Sequence, residues 1–233
     1  MTLTPWLAHL YTATGAATAL AAAVAVHAGD YRTAFFWLAA AIAIDSSDGV
    51  LARALRVKER LPWFDGAKLD DLVDYLTYVF VPVFLIVRAE LVPPALSMWI
   101  GSAILVASGY GFSRADAKVA TTDYFFTGFP SYWNIAALYL YVWPFSQAAN
   151  AAMLVLLVAL VFVPTRYVYP SRTTTWRTAT VILGSVWGIC MIVMIWRLPA
   201  VDGPWMPLSL VFPVYYLLLS ARLSAAERRS RAL

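Results

Sequence analysis

A chain of 233 residues that is 62% hydrophobic and 13% charged is too apolar for a soluble globular domain, where about a quarter of residues carry charge. It is also too short to add a soluble domain of ordinary size to its membrane part. The net charge of +4 comes from Lys and Arg gathered between apolar runs, a pattern that speaks to topology rather than to nucleic acid. A single cysteine, Cys190, excludes an intramolecular disulfide, and with only His9 and His27 beside it no structural zinc set is available.

Apolar runs at 6–27, 33–54, 68–88, 93–115, 131–143, 148–164, 178–197 and 206–222 predict an all-α, polytopic bundle of eight transmembrane helices. In the first, the small apolar stretch Ala16–Ala25 resembles a signal-peptide core. No Lys or Arg precedes it, so a retained helix is expected. The fifth and sixth are short and Pro144 divides them. With this count, 17 basic residues segregate so that only Arg32, Arg88 and Arg197 fall on one side. The basic side then faces the cytoplasm and carries both termini. Arg114, Lys118, Arg166 and Arg172 are expected mainly to set topology. The C-terminal "RLSAAERRSRAL" reads as a basic tail on the membrane surface. No internal repeat is visible.

The informative stretch runs from the second helix into the third: "DSSDGVLARALRVKERLPWFDGAKLDDLVDYLTYVF". Asp45 and Asp48 are three residues apart and share a helix face; Asp70 and Asp74, four apart, share another. A short basic loop makes the two helices antiparallel neighbours, so both pairs can converge at one depth. Four carboxylates in a low dielectric repel strongly. Divalent cations with a preference for oxygen, Mg²⁺ or Mn²⁺, remove that conflict. Two ions about 3.5–4 Å apart would suit four ligands and phosphoryl transfer. Gly49, Ala52 and Gly66 are small and leave room for close approach. Arg53 suits a phosphate or a carboxylate. Its other use, an ion pair with Asp48 five residues away, has poor helical geometry. Asp71, about 100° around the helix from Asp70, is assigned a structural role.

The pattern Asp45-x2-Asp48-Gly49-x2-Ala52-Arg53 followed by Gly66-x3-Asp70-x3-Asp74 resembles the signature of the CDP-alcohol phosphatidyltransferases. The interval between Arg53 and Gly66 is longer than the family's, which lengthens the connecting loop. Two further stretches, "RVKERLPWFDGAKLDDLVDYLTYVFVP" and "DYFFTGFPSYWNIAALYLYV", are similar to the bacterial phosphatidylcholine synthases. The resemblance implies one integral membrane domain over 1–233 that moves a phosphatidyl group from CDP-diacylglycerol to choline and releases CMP. It implies Asp45, Asp48, Asp70 and Asp74 as ligands of Mn²⁺ or Mg²⁺, with two ions expected, and Asp74 as general base. Gly49, Ala52, Arg53 and Gly66 match positions that accommodate the cytidine diphosphate, with Thr12 and Thr14 of "HLYTATG" as further nucleotide contacts. A homodimer in the bacterial inner membrane, with its active site toward the cytoplasm, is also implied.

Choline carries a quaternary ammonium that donates no hydrogen bond and is held by aromatic faces, each worth about 0.5–2 kcal/mol. Tyr75, Tyr78, Tyr110, Phe112, Tyr132 and Trp133 fall near the predicted site, and at least two are expected to line a choline pocket. An acceptor such as serine, inositol or glycerol phosphate should demand more Arg, Lys or Asn near the acids. A divalent-cation transporter, the alternative from another class, should show a midplane site and usually a repeat.

Overall fold

The computed structural model describes residues 4–114, 116, 118–120, 124–170 and 173–231. Arg172 and the side chains of Lys118, Arg228, Arg229 and Arg231 lie outside the described residues. Two units make up the chain: one takes residues up to Leu105 together with Tyr132–Ala151, the other takes Val106–Ser131 and the chain from Ala152 onward.

The first unit begins with α1 (Thr4–His27) and α2 (Tyr31–Ala54). The turn between them needs a left-handed residue, which Gly29 supplies at φ 77°. Asp30 then caps α2, its side chain accepting a hydrogen bond from the Thr33 amide at 3.1 Å, a cap worth about 1 kcal/mol. Hydrogen bonding from the Thr33 side chain, and then from its amide, holds the Asp30 carboxyl below the usual carboxylate pKa. Along α1, buried Ala8, Thr12, Gly15, Ala19, Ala22 and Val26 recur at helical spacing. Such small residues let neighbouring helices approach where lipid provides no hydrophobic drive. A Cβ at Gly15 would lie 2.5 Å from Val73 Cγ1.

After α2 comes a single helical turn, α3 (Val57–Arg60), then α4 (Gly66–Asp74), capped by Asp65 through the Lys68 amide at 3.1 Å. The predicted helix at 68–88 is not uniform. It runs as α4, a π-helical turn over Tyr75–Phe80, and α5 (Val81–Arg88). Pro82 explains the break: it has no N–H for the Tyr78 carbonyl, and its ring crowds that carbonyl. The ladder widens instead, and the Val81 amide donates to the Leu76 carbonyl. The elements α6 (Pro94–Ser113), α7 (Trp133–Val142) and α8 (Gln147–Phe162) follow; α6 and α8 each supply residues to both units. The Asn150 side chain donates to the Leu91 carbonyl at 2.9 Å and ties the start of α8 to the turn after α5.

The second unit contains α9 (Arg177–Arg197), α10 (Trp205–Ser209) and α11 (Val211–Arg231). The predicted helix at 206–222 is therefore split near Leu210. Pro213 cannot serve the Ser209 carbonyl, for the reason that applies at Pro82. The segments 116–130 and 165–177, which lie between predicted helices, contribute an antiparallel sheet of β1 (Lys118–Ala120), β2 (Tyr124–Thr127) and β3 (Arg166–Val168), in the order β1-β2-β3. Phe125 and Val168 pack against Leu219 of α11. Ser220 accepts the Val168 amide at 3.0 Å, and Ser224 donates to the Arg166 carbonyl at 3.0 Å. The start of the C-terminal basic segment thus packs on protein rather than lying wholly on a membrane surface.

Among the described residues, five helices are long and apolar enough to cross a membrane: Thr4–His27, Tyr31–Ala54, Pro94–Ser113, Arg177–Arg197 and Trp205–Ala226. Trp133–Val142 and Gln147–Phe162 are shorter apolar helices. Large side chains such as Leu20, Met98, Trp99, Ile189 and Trp196 stand exposed on these helices. Apolar residues on the outside, with backbone groups satisfied within helices, are the construction an integral membrane protein requires.

One backbone position tests the second unit. Gly128 has φ 82°, its amide donates to the Thr165 carbonyl at 2.8 Å, and a Cβ there would collide with the Val161 carbonyl. Gly128→Ala is expected to destabilise the protein by about 2 kcal/mol or more, seen as a clear fall in melting temperature in detergent. An unchanged melting temperature would remove the constraint.

Candidate active site

Three of the four aspartates come together. One carboxylate oxygen from each of Asp45, Asp70 and Asp74 lies within 4.8 Å of the others, and all three residues are partly buried. Asp45 comes from α2; Asp70 and Asp74 stand one turn apart on α4. An all-carboxylate group of this size could hold a hard divalent cation.

Asp45 is oriented from the π-helical turn. The Tyr78 hydroxyl donates to Asp45 Oδ2 at 2.6 Å, and Tyr78 is only 7% exposed. A hydrogen bond to a charged group of this kind contributes about 1.5–3 kcal/mol. Asp48, also 7% exposed, lies outside the group of three. Its Oδ2 accepts from Thr12 Oγ1 at 2.7 Å. A second tie one residue back, Tyr11 to Ser47 at 2.8 Å, locks the same register of α1 on α2. The two helix-two aspartates are thus addressed from different partners, although they share a face.

The predicted nucleotide contacts divide in a similar way. Thr12 serves Asp48, and Thr14 donates to its own helix at the Tyr11 carbonyl, 2.6 Å away. Gly49 and Gly66 do not leave the open space expected of them. A Cβ at Gly49 would sit 3.2 Å from Arg53 Nη1, and one at Gly66 would sit 2.6 Å from His9 Cε1. The room that each glycine makes is taken by another side chain of this protein.

One turn beyond Asp48 on α2, and one turn before Asp70 on α4, lies a cavity of about 670 Å³. Ala52, Arg53 and Gly66 line it, together with Arg56, Lys58, His9, Trp63 and Phe64. Ala8, Val57 and Leu61 form a buried apolar cluster beneath it, with Trp6, Leu51, Leu55 and Phe64 packed around them. Arg56, at φ 49°, turns the chain sharply out of α2 and brings Lys58 to the same wall as Arg53. The loop between Arg53 and Gly66 supplies most of this wall. His9 had drawn no functional expectation. A lone histidine in an apolar run carries little signal until the fold shows what surrounds it.

Of the six aromatic residues considered for a quaternary ammonium, four belong to the first unit. The Tyr78 and Tyr132 ring centroids are 6.0 Å apart. Tyr75 donates its hydroxyl to the Leu105 carbonyl at 2.9 Å, and Trp133 is fully buried. Tyr110 and Phe112 belong to the second unit, where the Tyr110 ring lies 5.1 Å from that of Phe162.

No protein-family model matches the chain. Among curated proteins, the sequence is 38% identical over 222 residues to the phosphatidylcholine synthase of Legionella pneumophila, covering 92% of this chain and 86% of that protein. It is 43% identical to the phosphatidylcholine synthase of Legionella bozemanae over 73% of this chain and 77% of the other. To that of Pseudomonas aeruginosa it is 35% identical over 93% and 92%. Identity at this level across nearly the whole of both chains, joined to a cluster of signature aspartates beside a basic cavity, means that the chain belongs to the phosphatidylcholine synthase family.

Proposed function

We propose that this protein transfers the phosphatidyl group of CDP-diacylglycerol to the hydroxyl of choline and releases CMP. The observation that carries the reading is the meeting of Asp45, Asp70 and Asp74 within 4.8 Å in a chain of this family.

The donor set is all oxygen and fits Mg²⁺ or Mn²⁺. Asp45, Asp70 and Asp74 would hold the ion, with Asp48 joining them where two are bound. Bound there, the metal would offset negative charge on the diphosphate and on the departing CMP. Asp74 is the general base. It takes the proton from the choline hydroxyl, and the freed oxygen forms a bond to the phosphorus that bears diacylglycerol. The bond from that phosphorus to the bridging oxygen breaks, and CMP leaves with the electron pair. Tyr78 keeps one oxygen of Asp45 in place, and Thr12 does the same for Asp48. Arg53, Arg56 and Lys58 bring positive charge to the cavity and attract the diphosphate. The volume lies within the roughly 300–1,000 Å³ usual for small-ligand sites. Gly49 and Gly66 contribute by seating Arg53 and His9, Ala52 lines the same cavity, and Thr14 stands one turn along α1.

For the trimethylammonium group, Tyr78 and Tyr132 are the pair whose spacing suits a shared cation, with Tyr75 and Trp133 beside them in the sequence. The helical path 66–88 and the two shorter apolar helices complete eight crossings in this reading. Both termini and the active site face the cytoplasm of a bacterium, across its inner membrane, and the protein pairs as a homodimer.

Purified protein given CDP-diacylglycerol, labelled choline and Mn²⁺ is expected to form labelled phosphatidylcholine and CMP in equal amounts, and a chelator is expected to stop it. CMP release with serine, inositol or glycerol phosphate but not with choline would replace the acceptor. No turnover with any alcohol would favour a cation transporter. Asp74→Asn should lower kcat by about 100-fold or more, the range for loss of a general base; near-normal kcat would reassign the base. Tyr78→Phe keeps the ring and removes the donor to Asp45. It should raise the Mn²⁺ concentration for half-maximal activity about tenfold and leave the choline KM alone; wild-type metal dependence would refute this role. Alanine at Tyr75, Tyr78, Tyr110, Phe112, Tyr132 and Trp133 in turn should raise the choline KM in at least two variants, and no change in any would remove the aromatic pocket.

A further inference from the structure

We infer that His9 holds the nucleoside end of the CDP group through its Nε2, an assignment that rests on the proposed transfer reaction. His9 lies one turn before Thr12 on the inner face of α1 and is 8% exposed. Its imidazole is seated on three sides. The Phe64 ring centroid is 4.3 Å away, that of Trp6 is 5.9 Å away, and Gly66 lies so close that a Cβ would stand 2.6 Å from Cε1. The ring is part of the wall of the 670 Å³ cavity.

Among the described residues, Nε2 of His9 is a buried polar atom with no hydrogen-bond partner, and of the buried atoms in that state it alone belongs to this wall. A position used only for packing would be served better by phenylalanine or leucine, because an unsatisfied buried nitrogen is costly. A ligand in the cavity would supply the missing partner.

The wall also indicates which part of the ligand that is. Arg53, Arg56 and Lys58 come from the end of α2 and from α3, and they suit phosphate. His9, Trp63 and Phe64 form an aromatic edge through mutual ring contacts with Trp6, at 5.3–6.2 Å apart from the closer His9–Phe64 pair. A pyrimidine base offers a flat face to such rings. Its amine and carbonyl, or a ribose hydroxyl, can bond to an imidazole nitrogen, which in the neutral ring either donates or accepts. A fixed imidazole among aromatic rings therefore fits the nucleoside, and the cluster of cations fits the diphosphate.

The 233-residue chain allows a direct test, because its only histidines are His9 and His27. With ¹⁵N-labelled histidine, CMP is expected to shift the His9 Nε2 resonance and inorganic pyrophosphate is not. In kinetics, His9→Phe preserves the ring packing and removes the nitrogen. It should raise the KM for CDP-diacylglycerol and the inhibition constant of CMP by about five- to tenfold. The choline KM and inhibition by pyrophosphate should stay within about twofold. His9→Gln should recover most of the loss. Gly66→Ala, which pushes the imidazole from its seat, should weaken CMP in the same direction. An active enzyme whose Nε2 signal ignores CMP, or a folded His9→Phe protein with unchanged constants, would reduce His9 to packing. Equal weakening of CMP and pyrophosphate would move the contact to the phosphates and overturn the inference. An enzyme that turns over no alcohol and binds no CMP would fail at the transfer reading itself.

Discussion

Carboxylates in an apolar helical bundle are the constraint on which the rest of this structure depends. Asp45, Asp70 and Asp74 cannot converge within 4.8 Å unless their charge is offset and their orientations are held. Each helix around them contributes to that end. α1 supplies Thr12 to Asp48 and Tyr11 to Ser47, which sets the register of α2. The π-helical turn supplies Tyr78 to Asp45. The small residues of α1 allow α2 and α4 to come near enough for these bonds to form at all. Loss of one hydrogen bond here would disturb more than one partner, because the side chains share a register.

The π-helical turn has a covalent origin with a functional consequence. Pro82 denies the Tyr78 carbonyl its usual donor, and the wider turn begins at Tyr75, directly after Asp74. Asp74 therefore sits where a regular helix gives way to a wider one. Tyr78, buried within the wide turn, reaches across to α2. A uniform α-helix through this region would present its side chains at other angles. The same proline chemistry at Pro213 divides α10 from α11, whose Leu219 packs against the small sheet.

The cavity shows a second use of small residues. Gly66 and Gly49 leave space, and the space is occupied by His9 and by Arg53. Glycine here acts through what it seats. This ordering gives the wall two chemical characters, cationic and aromatic, side by side. A nucleoside diphosphate complements both, with an anionic diphosphate for the cations and a flat base for the rings.

Much of this was legible in the chain itself. Apolar runs of about 20 residues located the long helices, because lipid requires both length and apolarity. Spacings of three and four residues placed the aspartates in pairs, because helical geometry is local. The matched signature identified the chemistry. Other features were decided only when distant segments met. Asp45 and Asp48 share a face by spacing, yet separate partners on the π-helical turn and on α1 draw them apart. The β2–β3 pairing joins segments some forty residues apart, and neither short strand announces itself alone. His9 acquires meaning only from Phe64, Trp6 and Gly66 around it. Local periodicity and covalent limits such as proline are properties of the sequence by itself. Which hydroxyl reaches which carboxylate, and what fills the space over a glycine, depend on contacts between helices, and those exist only in the tertiary structure.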